Sequence, residues 1–378
     1  MTPGVVPGSA PGRDAEAGLA QCRSGALFDH LPLAPDEFRA LRPLGWISPP
    51  IHVIPARFSS FSRSLPGETR PPTPVEFPGD ATVTGVLIAD FPATGAHGYQ
   101  VQFSPCRDTR FQFNHIGALS PVLQTAVDAA PKVNCREFNP GGENNLTRTC
   151  QANLSLQVHS GDLLGMSDEF AGVDFVAIDY RGPKAAFTNP ADYQGDFFYY
   201  VSPVPYFTPA TRAVLESRLG SYDGTVPRTA DPIIGTYMQD LPGTAQGNWF
   251  LPGGSPATTD SSDGALALVH DYVAPTEPVI SVGTGVGGLA SGVYSFTPQP
   301  SGTVNRDFSA VTADATTYCY DQFHAGRTTG GIALRNDNGA LLVRMPDSDH
   351  LDVEFRPGVD CAGVGADPAM TNASHYAR

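Results

Sequence analysis

The chain has 378 residues, 41% of them hydrophobic, which is enough for two domains that each bury their own core. Only 16% are charged, and the formal net charge of −15 excludes nucleic acid and an anionic membrane as partners, since both need clustered Lys and Arg. No apolar run reaches the roughly 20 residues of a spanning helix. The 40 Gly and 36 Pro, in a sequence poor in helical periodicity, favour β-rich domains with many turns.

Residues 1–18 are rich in Pro, Gly and Ala and are expected to be a flexible tail, or an arm that orders only against something else. No signal peptide follows Met1, so the chain reads as a mature secreted form with an added Met. A first β domain is expected over 19–225. Ala34–Arg42 reads as a short helix with Asp36 and Glu37 in its first turn. Residues 62–74 read as a loop, and Pro49, Pro50 and Pro55 as marks of a rigid extended segment around His52. Alternating stretches follow at Val83–Ile88, Tyr99–Phe103 and Phe111–Leu119.

An insertion is expected at 119–157. It holds a helix from Pro121 through Ala130 and a polar loop from Cys135 to Cys150 that a disulfide would staple. Two further strands, around Val158–Met166 and Gly172–Asp179, complete the first domain. Thr208–Gly220 is the clearest helix: Thr208 is placed to cap it, Pro209 suits its first position and Gly220 stops it. Tyr222–Pro232 reads as a boundary.

The second β domain is expected over 233–363, with 364–378 as a C-terminal tail. Its strands read as Ile233–Tyr237, Gly247–Phe250, Leu266–Tyr272, Val279–Val282, Gly292–Phe296, Ala315–Tyr320, Gly331–Leu334, Leu341–Met345 and Leu351–Phe355. Hairpin turns are expected at Asn336–Gly339 and Asp347–Asp349. Gly283-Thr284-Gly285-Val286-Gly287-Gly288 fits a dinucleotide fingerprint, but it runs into a strand rather than a helix and is rejected. Asn145, Asn153 and Asn372 are glycosylation acceptors if the source modifies such sites.

Six cysteines without a Cys-x-x-Cys point to disulfides in an oxidising compartment, extracellular or periplasmic. Of the fifteen pairings six cysteines allow, proximity and domain favour Cys135–Cys150 and Cys319–Cys361, leaving Cys22–Cys106.

Pro74-Val75-Glu76-Phe77-Pro78-Gly79-Asp80-Ala81-Thr82-Val83, then Phe113-Asn114-His115-Ile116, then Val158 to Gly165, and last Gly172-Val173-Asp174-Phe175 follow one another in an order that resembles the M23 (lysostaphin-like) metallopeptidase domain. The resemblance covers about a third of the chain. It implies an N-terminal hybrid-motif β-sandwich with short helices; together with the strand spacing of 233–363, which suggests a C-terminal antiparallel β-barrel or β-sandwich, the expected fold class is mainly β. In that family zinc is held by a His and an Asp of His-x-x-x-Asp and by the second His of His-x-His, with a fourth position open to water. Here Gly172 and Asp174 stand in the His-x-His slot. Upstream only His52 is available, and Ala56 stands where the Asp belongs. The resemblance makes His115 the transition-state or proton-shuttling residue, and His52 and Asp174 the remnants of a metal site.

With the ligand set broken, the expectation is a secreted pseudoenzyme without a cofactor, zinc or calcium being the metals its chemistry would admit. Its former active groove would bind a glycan or a protein or peptide ligand. Tyr199, Tyr200, Tyr206, Phe207, Trp46 and Trp249 would offer aromatic surface. Two alternatives stay open: a zinc metallohydrolase using His52, His115 and Asp174 in an altered ligand set, and a self-assembling structural subunit. Two acidic stretches (Asp168, Glu169, Asp174, Asp179; and Asp347, Asp349, Asp352, Glu354) could supply calcium oxygens, but they lack any known calcium-loop spacing and read as solvated loops.

Overall fold

The computed structural model describes residues 16, 18–65, 67–138, 146–169, 172–254, 264–365 and 368–378. The fold is mainly β, in two domains. The first sheet is built from β1 (Ala40–Arg42), β2 (Ser59–Ser62), β3 (Pro74–Glu76), β4 (Ala81–Phe91), β5 (Ala96–Ser104) and β6 (Thr109–Leu119), followed after α1 (Pro121–Ala129) by β7 (Lys132–Phe138), β8 (Thr147–Val158), β9 (Leu163–Ser167), β10 (Gly172–Asp179) and β11 (Tyr200–Val201). Its strand order is β1-β2-β10-β6-β5-β4-β8-β7, with β9 joining β3 to β6 and β11 flanking β10.

Period-two alternation puts Val83, Val101, Phe103, Phe111, Phe113, Val173, Phe175 and Ala177 on one face, all buried. Their rings pack at close range: Phe113 stacks on Phe175 with centroids 4.3 Å apart, and Phe28 meets Phe111 edge-on at 4.7 Å. Such pairs each contribute about 0.5–1.5 kcal/mol beyond area burial. Gly165 lets β9 approach β6, since a Cβ there would stand 2.2 Å from the carbonyl oxygen of Ala118.

After α2 (Pro209–Glu216) comes the second sheet: β12 (Gly247–Phe250), β13 (Ala265–His270), β14 (Pro278–Val282), β15 (Gly292–Ser295), β16 (Thr317–Tyr320), β17 (Gly326–Arg327), β18 (Ala333–Leu334), β19 (Gly339–Arg344) and β20 (His350–Pro357), then α3 (Cys361–Val364) and β21 (Ser374–Ala377). The order is β16-β19-β20-β21-β12-β13-β14-β15-β18-β17, antiparallel except for the parallel β15–β18 pair. Trp249, Leu268, Ile280, Tyr294, Tyr320, Val343, Val353 and Tyr376 from eight of these strands share one core.

The stretch between β1 and β2 is wedged between the sheets. Trp46, Ala56 and Phe58 pack with Val176 and Ile178 of the first sheet and with Tyr272 and Val273 of the second. Ile47 packs with Ala267 and Val269, and Val53 and Ile54 with Phe250 and Ala265. The segment around His52 therefore sits at the joint: Pro55 is buried in it, while Pro49 and Pro50 form a turn with Pro50 exposed.

Several elements differ from the sequence reading. Ala34–Arg42 is a turn leading into β1, because Ala40 and Leu41 reach full burial only when paired to β2. Cys135 and Cys150 lie on paired strands β7 and β8, so their disulfide links a hairpin; residues 139–145, with Asn145, lie outside the described residues. Thr208 precedes α2 but makes no side-chain bond to its backbone; its hydroxyl meets that of Thr211 at 3.0 Å. Ile233–Tyr237 is not a strand, and the Asn336–Gly339 turn joins β18 and β19, which do not pair. The expected C-terminal tail contributes β21, an interior strand between β20 and β12. Most of 1–18 lies outside the described residues, yet Glu16 is buried and accepts a 2.7 Å bond from Arg110. All three disulfides form as paired from the sequence. Among the described residues no helix is long and apolar enough to cross a membrane.

Candidate functional site

Strands β1, β2, β10 and β6 run side by side, and their faces turned from the core bring together Arg42, Ser60, Asp174 and Asn114. Arg42 pairs with Ser60, Ser60 with Asp174, and Asp174 with Asn114. Just after Asn114 the backbone of β6 turns left-handed at His115 (φ 65°), where its register against β5 breaks; the break against β9 follows between Ile116 and Ala118. A non-glycine residue in that region is uncommon and costs of order 1–3 kcal/mol.

The turn swings the imidazole between two carboxylates. Nδ1 lies 3.3 Å from Asp168 Oδ2, and Nε2 lies 3.3 Å from Asp174 Oδ2. The backbone supports this grip, as Asp168 N–H donates to the carbonyl of His115 at 2.9 Å. Arg42 donates from Nη2 to Ser60 Oγ at 2.9 Å, and its guanidinium carbon lies 3.8 Å from the ring centroid of Trp46 and 5.2 Å from that of Tyr222. His52 lies in an aromatic corner, 4.7 Å from Trp46 and 5.7 Å from Phe58 between ring centroids.

Electrostatics follow from this geometry. Burial alone would depress the pKa of His115, but the charge of Asp174 and hydrogen bonds to Asp168 and Asp174 outweigh it and push the value up to about 10. Burial alone would raise Asp174; the charge and hydrogen bond of His115, then the charges of Arg42 and His52, hold it below the ordinary carboxylate range. Burial pushes Arg42 down, opposed by Tyr272, Asp174 and Tyr222. At neutral pH His115 is an imidazolium clamped by two carboxylates.

The residues fit neither the catalytic zinc site the resemblance implies nor the altered ligand set that recruits His115. A histidine ligand presents a neutral ring nitrogen to the metal, whereas both nitrogens of His115 face carboxylates and act as donors. Gly172, in the slot of the family's first His-x-His histidine, has no room for a side chain: a Cβ there would stand 2.7 Å from the carbonyl oxygen of Phe61. Ala56, where the family has its Asp, is buried against Trp46 and Phe58. No described group of three His, Cys, Asp or Glu side chains is arranged to hold a metal ion. The acidic stretches disperse: Asp179 accepts from Arg181 and Tyr206, Asp347 pairs with His350, Asp352 with Arg344 and His375, and Glu354 with Arg356.

Of the three residues singled out from the sequence, His115 and Asp174 are in contact, and His52 stands close enough for its charge to act on Asp174. Asp168 and Arg42 were missed as parts of the same cluster. Asp168 was visible as one more acidic residue before a strand, while Arg42 was hidden by the helical reading of its segment. The expected aromatic surface is largely interior, since Trp46, Trp249 and Phe207 are all buried.

No protein-family model matches the chain, and no curated protein matches it. Among solved structures, that of Helicobacter pylori Csd3 is similar at 13% identity and a TM-score of 0.26, over 53% of this chain and 42% of that one. The chain thus spans less than half the length of that protein.

Proposed function

We propose that the chain is a secreted, non-catalytic binding module whose groove beside His115 and Asp174 takes a glycan or peptide ligand. The observation that carries the reading is the double clamp on His115. A protonated imidazole with both nitrogens donating cannot take up a proton as a general base or offer a lone pair to zinc. The open part of the cluster is nonetheless polar, lying between the ion pair and the amide side chains of β6. Secretion is supported by the three disulfides, which persist in oxidising compartments.

The test is incubation of the purified chain with cross-linked cell-wall peptides and a glycine-rich pentapeptide, with and without added zinc, read by mass spectrometry. No cleavage is expected. One equivalent of tightly held zinc, together with cleavage that disappears in His52→Ala and His115→Ala, would overturn the reading.

A further inference from the structure

The outer face of the first sheet carries a band of uncharged amides beginning next to the His115–Asp174 pair. Asn114 on β6 stands opposite Asp174; Gln112 on β6 stands opposite Gln102 on β5, which stands opposite Gly85 on β4. Gly85 in turn faces Asn153 on β8. Phe113, Val101 and Phe103 alternate with these residues and point into the core, so the amides project from the other side.

The amides are already tied to one another. Gln102 Nε2 donates to Gln112 Oε1 at 2.9 Å, and Gln112 Nε2 donates to Gln100 Oε1 at 3.1 Å and to Asn114 Oδ1 at 2.5 Å. On β8, Gln151 Nε2 donates to Asn153 Oδ1 at 3.0 Å. Between these groups lies a notch. A Cβ at Gly85 would have Gln102 Oε1 and Gln151 Nε2 each at 3.5 Å, so the two amides flank a position with no side chain. Gln102 Oε1 is shielded from solvent and accepts no hydrogen bond among the described residues. Neither does the hydroxyl of the neighbouring Thr84, a residue only 4% exposed. Buried polar atoms without partners are costly and are uncommon in a finished interior.

We propose that this amide band is a binding site for an uncharged, hydroxyl-rich ligand, a neutral glycan chain lying across the strands. The inference rests on the non-catalytic groove reading above and names its ligand class. Each side-chain amide offers a donor and an acceptor in one plane, matching hydroxyls that also do both. The band holds no charged side chain, although the protein as a whole carries −15, so an ionic ligand finds no partner there. From β6 to β8 it crosses three inter-strand spacings, about 14 Å, room for a short run of linked pyranose rings. A peptide adding as a strand needs a free sheet edge, whereas these groups stand on the face.

The experiment is titration calorimetry of the full chain with neutral β-linked hexose tetrasaccharides, N-acetylhexosamine tetrasaccharides and a glycine-rich pentapeptide. Saccharide binding with little salt dependence is expected. It should weaken tenfold or more in Gln102→Ala and Gln112→Ala, and in Gly85→Leu, which fills the notch, with the melting temperature followed in each. Unchanged affinity in all three variants, or no saccharide binding by the wild type, overturns the proposal. Binding of the pentapeptide alone overturns the glycan assignment but leaves a binding groove, whereas cleavage of the pentapeptide removes the non-catalytic reading beneath it.

Discussion

At His115 a strained backbone and a buried ion cluster coincide, and each explains the other. The left-handed turn is what lets one imidazole reach Asp168 and Asp174 together. Because folding raises the pKa of His115 from 6.5 to about 10, its contribution is complete below about pH 6.5 and is lost as pH rises through about 10. Urea unfolding of the wild type should therefore show falling stability across that interval. His115→Asn, which keeps a residue tolerant of positive φ but loses the cation, should flatten the slope. Asp174 has the opposite sign: its depressed pKa adds stability above pH 3.8, lost as pH falls through the lower folded value. Asp174→Asn leaves His115 with Asp168 as its one carboxylate partner in the clamp and should cost about 1.5–3 kcal/mol at neutral pH by the same urea assay. His115 and Asp174 were legible from the sequence because motif order places them in neighbouring strands. Asp168 was not, because only the φ of 65° at His115 tells which carboxylate its second nitrogen meets.

Among the elements, the β7–β8 hairpin shows what spacing could and could not give. Proximity paired Cys135 with Cys150, and the bond forms with a sequence separation of 15. The strands carrying it read as loop because β7 is an edge strand, largely exposed, with too few apolar residues to show alternation. Replacing both cysteines with serine should lower stability by about 3 kcal/mol in the chain-entropy account, seen as a lower urea midpoint. Unreduced peptide mapping should recover the two cysteines joined. β21 was illegible for another reason: four residues ending in Ala377 give no periodicity, and only their pairing with β20 and β12 defines them. Tyr376 is 1% exposed, and Arg378 lies 4.2 Å from the Trp249 ring centroid while donating to the carbonyl oxygen of Thr244 at 2.7 Å. Deleting residues 374–378 should lower the melting temperature of the whole chain and weaken its near-ultraviolet dichroism, since the 46–58 stretch ties the two sheets together.

For the whole molecule, the sequence showed two β units but not how firmly they are joined. The expected boundary at Tyr222–Pro232 is pinned: Tyr222 N–H donates to the carbonyl of Gly330 at 3.2 Å, and Arg228, itself buried, donates to the carbonyl of Tyr272. With the 46–58 wedge buried between the sheets as well, heating should produce one calorimetric transition, with van't Hoff and calorimetric enthalpies in agreement. Two separated transitions would show 19–225 and 233–363 folding as independent units. Trypsin should also cut slowly at Arg228, which is buried. The position of β21 has a consequence for synthesis. On a ribosome, chains grow at about 5–20 residues per second and N-terminal domains fold first. The strands of the first sheet, Ala40 through Val201, can pair as soon as they emerge. The second sheet lacks an interior strand until Ser374–Ala377 has been made, so β12 and β20 wait with open edges until then. A stalled or truncated nascent chain is thus exposed to mispairing through its second half, and a holding chaperone would act there.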